Sequence, residues 1–436
     1  MAINVEIALL TGLGGGQDQY FTLDDPTRGV LDNTSYLYAY FDVFATVTSD
    51  VRRLSVNRGR SQELDRVNAG QCTIELNNHD RLYDPVAGTA VTPYGGNIVP
   101  RKAVRVDVDG LRIFTGQVED WGFTYQVGGD SLAQVEAVDG FALLGQAELA
   151  GGTFTSELTG ARMGTVLSQA NVAWPLNLRN IATGQATLAA DAVQAGANAL
   201  QYLQQVELSE PGLVFMNTGG TFTFRDRTYT QTAGTLAFTD VIGSGIPYTS
   251  IEVEYGTEQL HNLIRVTYPS GTSVAEDATS QGAYGVVTRD FQTLLSSSTQ
   301  GDDMAGFLLG KYKDPTLRVR KLGIMLSALA PANAFILNDS VFGVLDGTLS
   351  ALAPTKKASV LGLDLGDVVR VVFTPNKIGS AIDRVLVVDG ISHDIEPRAA
   401  TSEVHRMMLT LSATETAFIL DDSSFGVLDG SNGYGF

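Results

Sequence analysis

Val104-Arg105-Val106-Asp107-Val108 places an apolar side chain at every second position, and Ala133-Gln134-Val135-Glu136-Ala137-Val138 does the same. Only a strand sends successive side chains to opposite faces, so such runs read as half-buried strands. Residues 38–138 hold several of them, Thr73-Ile74-Glu75-Leu76 included. Strand patterns return at 251–255, 263–268, 368–374, 384–388 and 407–412. Glycine stands at 47 of 436 positions, above the usual share of about 7%, which favours many turns between short strands. A length of 436 residues suggests about two to four domains.

Residues 139–247 change character. Met163, Val166, Leu167 and Ala170 fall on one helical face, and Ala199, Tyr202, Leu203 and Val206 repeat the spacing before Pro211-Gly212 stops the helix. A hairpin follows: 213–216, a turn at Asn217-Thr218-Gly219-Gly220, then 221–225. A further helix is predicted from Asp303 to Lys313, with Met304, Phe307 and Leu308 on its inner face. The two strand-rich regions are faintly alike. Val104-Arg105-Val106 is followed by Thr115-Gly116-Gln117-Val118 and the strand at 133–138. Val369-Arg370-Val371 is followed by Asp389-Gly390-Ile391 and the strand at 407–412.

A dodecapeptide recurs three times: FTLDDPTRGVLD at 21–32, FILNDSVFGVLD at 335–346 and FILDDSSFGVLD at 418–429. The copies are unevenly spaced, which excludes a solenoid. Each reads as a hairpin-like clip that docks on a sheet or a neighbour. Calcium capture by Asp24, Asp25 and Asp32 is rejected, because calcium needs six to eight oxygens and the EF-hand spacing is absent.

Acids outnumber bases 48 to 29, a formal charge of −19. A surface this acidic repels phosphate, which argues against sequence-specific nucleic-acid binding while allowing DNA to pass without sticking. Cys72 stands alone, so no intrachain disulfide and no thiolate zinc cage can form. The opening MAINVEIALLTGLGGG has no basic region and is a poor secretory signal. The longest uncharged apolar stretch, 322–337, is too short to span a bilayer.

The residues nominate no catalytic, cofactor or metal site. His79, His261, His393 and His405 include no pair within four residues, so no helical metal pair exists. Gly12-Leu13-Gly14-Gly15-Gly16 lacks the further glycine of a dinucleotide loop, since Gln17 stands there. Walker, nucleophile-elbow and zincin motifs are missing. A glycosidase would want aromatic platforms, and only Trp121 and Trp174 are present, the latter read as a packing cap. Asn177 and Asn180 suggest no chemistry either. Arg52, Arg53, Arg58, Arg60 and Arg66 form the one dense basic cluster. It reads equally well as a contact for an acidic subunit or as a loop paired with Glu63 and Asp65.

One resemblance covers roughly residues 40–436. Arg58-Gly59-Arg60-Ser61-Gln62-Glu63-Leu64-Asp65-Arg66 leads through the strand at 72–76 to Asn77-Asn78-His79-Asp80-Arg81-Leu82-Tyr83-Asp84-Pro85. Then come Pro93-Tyr94-Gly95-Gly96-Asn97 and Phe114-Thr115-Gly116-Gln117-Val118-Glu119-Asp120-Trp121. Further matches are Ser209-Glu210-Pro211-Gly212, Phe222-Thr223-Phe224-Arg225-Asp226-Arg227, Ile246-Pro247-Tyr248, His261-Asn262-Leu263-Ile264-Arg265-Val266 and Tyr284-Gly285. This ordered set resembles the minor tail proteins of long-tailed, non-contractile phages, the tail-tip baseplate-hub family.

The resemblance implies a mainly β fold: two tube-like β-barrel domains plus a mixed α/β domain as an α+β insert. The expected division is an arm with a clip at 1–37, a first barrel at 38–138 and the insert at 139–247. A second barrel follows at 248–415, with a helix and an inserted segment at about 321–355, and a C-terminal clip at 416–436. It further implies a homotrimer forming a pseudo-sixfold ring between the tail tube and the tip. Its partners would be the distal tail ring, the tape-measure protein and fibres or tip proteins, with DNA passing the lumen. The expected protein is a virion component made in the host cytoplasm, not membrane-inserted, not an enzyme and without cofactors. The rival readings are a receptor-binding tail fibre or adhesin, and an envelope-degrading enzyme.

Overall fold

The computed structural model describes residues 3–10, 43–86, 91–127, 129–227, 229, 236–241, 245–329, 356–399, 402–413, 417–418 and 433–434. The three clips lie outside the described residues, apart from the backbone at Phe418, which pairs with Tyr434.

The alternating runs form strands, as their periodicity requires. We number those of the main sheet β1 (Ile3–Leu10), β2 (Val43–Thr46), β3 (Val51–Gly59), β4 (Asn68–Asn77), β5 (Ala103–Val108), β6 (Leu111–Tyr125) and β7 (Ser131–Val138). After the insert come β8 (Ser250–Glu254), β9 (Arg318–Met325), β10 (Val368–Phe373), β11 (Ile382–Ala399) and β12 (Ser402–Ala413). On β4 the inward positions Cys72, Ile74 and Leu76 are buried, as are Val104, Val106 and Val108 on β5. Each such side chain stabilises the sheet by about 1.5–3 kcal/mol through loss of apolar surface to water.

Two five-stranded antiparallel units share one neighbour order, β3-β4-β7-β6-β5 and β8-β9-β12-β11-β10. Their registers agree at the start of the β5–β6 and β10–β11 pairings. Val104 faces Gly116 as Val369 faces Leu386, and Arg105 faces Thr115 as Arg370 faces Val385. A register shift interrupts β6 between Val118 and Asp120, and one interrupts β11 at the matching place, between Val388 and Gly390. The faint likeness in sequence is therefore a structural duplication. Register also corrects its detail, because Glu119 matches Asp389, so Gly116 and Gly390 are not equivalent.

The units fuse, where β3 pairs with β11, into one sheet of 14 described strands; the two not numbered above, Leu236–Thr239 and Ile246–Pro247, extend it beyond β10. The fold is mainly β with a mixed α/β insert, as expected. Tube-like closure is the exception: the hydrogen-bond pairing leaves the sheet open, with β8, β2 and Ile246–Pro247 at its ends. The physical reason is that these outer strands have no partner on their far edge among the described residues.

The insert builds helices Gly140–Leu144, Thr159–Leu167 and Ala199–Ser209. Asp139 and Asn198 cap the first and third by accepting from the backbone N–H of Phe141 and Gln201. The second helix stops at Leu167, short of the expected Ala170. The predicted hairpin is present as Leu213–Met216 against Phe222–Arg225, and Asn217 Oδ1 holds its turn by accepting from Gly219 N and Thr221 N. Apolar packing runs unbroken from the sheet into this insert.

A second mixed element interrupts the second unit between β8 and β9. Strands Leu263–Tyr268, Gly271–Glu276 and Thr288–Gln292 pack against helix Ser298–Tyr312 around a separate core that includes Ile264, Phe291 and Leu308. That helix begins five residues before the predicted Asp303 because Ser297 caps it, and Phe307 is 39% exposed instead of inward. No helix among the described residues is long and apolar enough to cross a membrane.

Candidate functional site

The joint between the two units gathers most of the arginine cluster. Gly59, at the end of β3, faces Gly390 on β11 with φ +100°. A Cβ at Gly59 would lie 2.2 Å from the carbonyl oxygen of Asp389, so only glycine lets the two backbones approach this closely. Arg60 then crosses the joint twice. Its backbone N–H donates to Asp389 O at 2.9 Å, and its Nε donates to the buried Asp389 Oδ1 at 2.9 Å. Burial pushes the Asp389 carboxyl upward, and the Arg60 charge opposes that shift.

Arg58 donates through Nη2 to Met216 O and to Asp364 Oδ1, both at 2.7 Å, from a nearly buried position. Arg225, at the end of the insert hairpin, donates to Leu365 O at 2.6 Å and Asp367 Oδ1 at 2.8 Å. The insert is thereby tied to both units across their joint. On the outer side, Arg53 and Arg406 share Asp394 at 3.2 and 3.3 Å, and Arg52 forks onto Asp130 at 2.8 and 3.0 Å. Lys357 reaches Asp109 at 2.9 Å and links the units a second time.

Four of the five arginines are thus bound within the chain, none to the side chain of an acid nearest in sequence; Arg60 reaches Asp65 only at its backbone O, at 3.4 Å. Glu63 pairs with Lys311, Asp65 Oδ2 accepts from Ser61 Oγ, and Arg66 stays exposed. Partners 306 to 341 residues away could not be read from local spacing.

Two histidines that sequence spacing kept apart come together behind the joint. His393 on β11 and His405 on β12 lie across the hairpin, with His393 Nδ1 2.9 Å from His405 Nε2. Both are buried, and desolvation holds both imidazoles below their ordinary range, so one neutral ring donates to the other. His79 bonds Gly129 O at the surface, and His261 packs edge-on against Tyr312. No group of three or more metal-ligating side chains occurs among the described residues.

Buried carboxylates are committed to structure. Asp139 accepts from Phe141 N and Gly70 N, and burial raises it to about 6. Glu207 accepts from Val214 N and is pushed up to about 7. Glu210 accepts from Gln185 N and Ala186 N, and from the Thr159 hydroxyl. Glu207, Arg60, Glu63 and Tyr312 edge a cleft of ≈ 140 Å³, below the roughly 300–1,000 Å³ of small-molecule sites. An open depression of ≈ 580 Å³ is lined by Ala161, Gly164, Thr165, Ser168, Gln169 and Arg179, with no carboxylate or histidine. Trp174 packs over Gly140 and donates to Leu178 O, which agrees with a packing role. Trp121 stacks between Tyr83 and Phe123 in an aromatic row along β6.

The fold is similar to that of solved phage tail proteins. The 43 kDa tail protein of prophage MuSo2 from Shewanella oneidensis superposes with a TM-score of 0.54 at 13% identity, over 86% of this chain and 96% of that one. A tail protein from Neisseria meningitidis MC58 gives 0.53 at 11% identity, over 85% and 94%. No family model and no curated protein matches the sequence. The chain has the fold of these tail proteins.

Proposed function

We propose that this chain is the structural baseplate hub of a long, non-contractile phage tail. Three copies form a pseudo-sixfold ring, each contributing two like units from the regions 38–138 and 248–415, with 139–247 as the insert. The ring joins the tail tube and distal tail ring to the tip and fibres, contacts the tape-measure protein and gates DNA exit. The chain acts mechanically and carries no catalytic, cofactor or metal site. It resides in the virion after synthesis in the host cytoplasm.

The observation that carries this reading is the duplication. Two units of one topology, joined edge to edge, make each copy a two-step segment of a ring. A charge of −19 supports passage of DNA, since cationic walls would hold phosphates. The test is cryo-electron microscopy of the purified chain at high concentration and of the particle. The expected result is a threefold ring at the tail tip with a lumen wide enough for duplex DNA. A slender trimeric fibre, or density at the particle's periphery, overturns the hub and favours the receptor-binding fibre or adhesin.

A further inference from the structure

β11 carries three neighbours on two edges. One edge pairs with β12 along its length; the other pairs with β10 over 382–387 and then with β3 over 390–395. The inter-unit joint is therefore the second half of an edge whose first half belongs to the unit itself. β6 is built the same way. It pairs with β7 on one edge and with β5 over 111–117 on the other, and Val118 completes that pairing with Arg101 and Lys102. Beyond that point, 119–125 has no strand on this edge among the described residues. β8 is the counterpart of β3, and among the described residues it pairs with β9 alone.

We infer that β8 of one copy pairs antiparallel with the free edge of β6 in a second copy, repeating between molecules the joint that β3 and β11 make within one. The inference rests on the hub reading for the number of copies, not for the joint itself.

The internal joint fixes the register. Ile395 faces Leu54 and His393 faces Val56. The shared bulge makes Tyr125 the equivalent of Ile395 and Phe123 that of His393. Pairing along β4 and β9 makes Ile251 the equivalent of Leu54. Transferred between copies, Tyr125 faces Ile251, Phe123 faces Val253 and Trp121 faces Tyr255. Every apolar position of one edge meets an apolar position of the other, and such cross-strand aromatic and β-branched pairs stabilise a sheet.

Exposure supports the same match. Inside the covered joint Ile395, Leu54 and Val56 are each 0% exposed. The uncovered equivalents of Ile395 and Val56 are open, Tyr125 at 53% and Val253 at 39%, while Ile251, the equivalent of Leu54, stays half-buried; Tyr255, the equivalent of the buried Arg58, is 68% exposed. An apolar strand edge left open in this way is a template for another strand.

The register places Thr124 opposite Glu252, both exposed. A cross-strand pair has the Cα separation a disulfide needs, and the native Cys72 is buried out of reach. Under oxidation, a mixture of the Thr124→Cys and Glu252→Cys variants is expected to yield covalent dimers, and neither variant alone. The double variant is expected to yield a ladder ending at the trimer. Val253→Arg is expected to dissociate the assembly while leaving the monomer's unfolding midpoint unchanged. A three-copy ring in mass photometry with no cross-link overturns the joint and leaves the hub reading standing. A cross-link within open-ended polymers or dimers alone keeps the joint and overturns the three-copy ring. A monomer without cross-link at the highest soluble concentration overturns both.

Discussion

Arg162 is fully buried in helix Thr159–Leu167, and its guanidinium has five contacts. It donates to Glu157 at 2.6 Å, Tyr202 at 2.8 Å, Thr155 O at 2.7 Å and Ala189 O at 2.9 Å, and lies over the Phe154 ring. Breaking such a site strands several buried acceptors, so Arg162→Ala is expected to lower stability by about 3–5 kcal/mol in urea unfolding. The His393–His405 pair makes a pH prediction. Desolvation lowers both folded-state pKa values, so the unfolded chain binds protons first as pH falls. Their contribution is full above the ordinary histidine value near 6.5 and is lost below it, by up to about 1.4 kcal/mol per pH unit for each ring. Glu207 and Asp139, both raised, titrate in the opposite sense, so the informative quantity is a difference. His405→Gln is expected to remove one ring's share of the slope between pH 6.5 and 5, read from urea midpoints against the native chain.

At the scale of elements, the joint depends on Gly59. Its positive φ and the 2.2 Å approach to Asp389 O leave no room for a side chain. Gly59→Ala is expected to cost about 1–3 kcal/mol and to loosen β3 from β11. Hydrogen exchange would show it as faster exchange confined to amides near 390–395 and 54–59. Unchanged protection there would mean that the joint is held by Arg58 and Arg60 alone. The strands and helices themselves were largely legible, because periods of two and 3.6 record which face is buried. The long β11 was legible only at 384–388, since its later half is paired on both edges and buries Ile391, His393 and Ile395 against β3.

For the whole molecule, charge and duplication bear on function together. A surface at −19 is expected to leave duplex DNA unretarded in a gel shift even at low salt, where any cationic lumen would show itself. Retention at low salt that is lost as salt rises would reveal a basic patch that holds phosphates and would count against the proposed passage of DNA. The mixed element between β8 and β9 sits where the first unit has only the short 60–67 connection. The second unit therefore presents a surface that the first does not, and the two units are equivalent in their sheet but not in their periphery.

Local chemistry in the sequence determined the mainly β character, the insert with its helices and hairpin, and the absence of a disulfide framework. Each follows from neighbours a few residues apart, where side-chain period and turn residues act directly. The likeness of Val104-Arg105-Val106 to Val369-Arg370-Val371 was visible too, but it gained meaning only when register and bulge coincided. Tertiary structure alone decided the partners of Arg53, Arg58 and Arg60, the meeting of His393 with His405, and the edges of β6 and β8 that no described strand covers. Those depend on which strand lies beside which, a choice made by packing across hundreds of residues and unmarked by any local pattern.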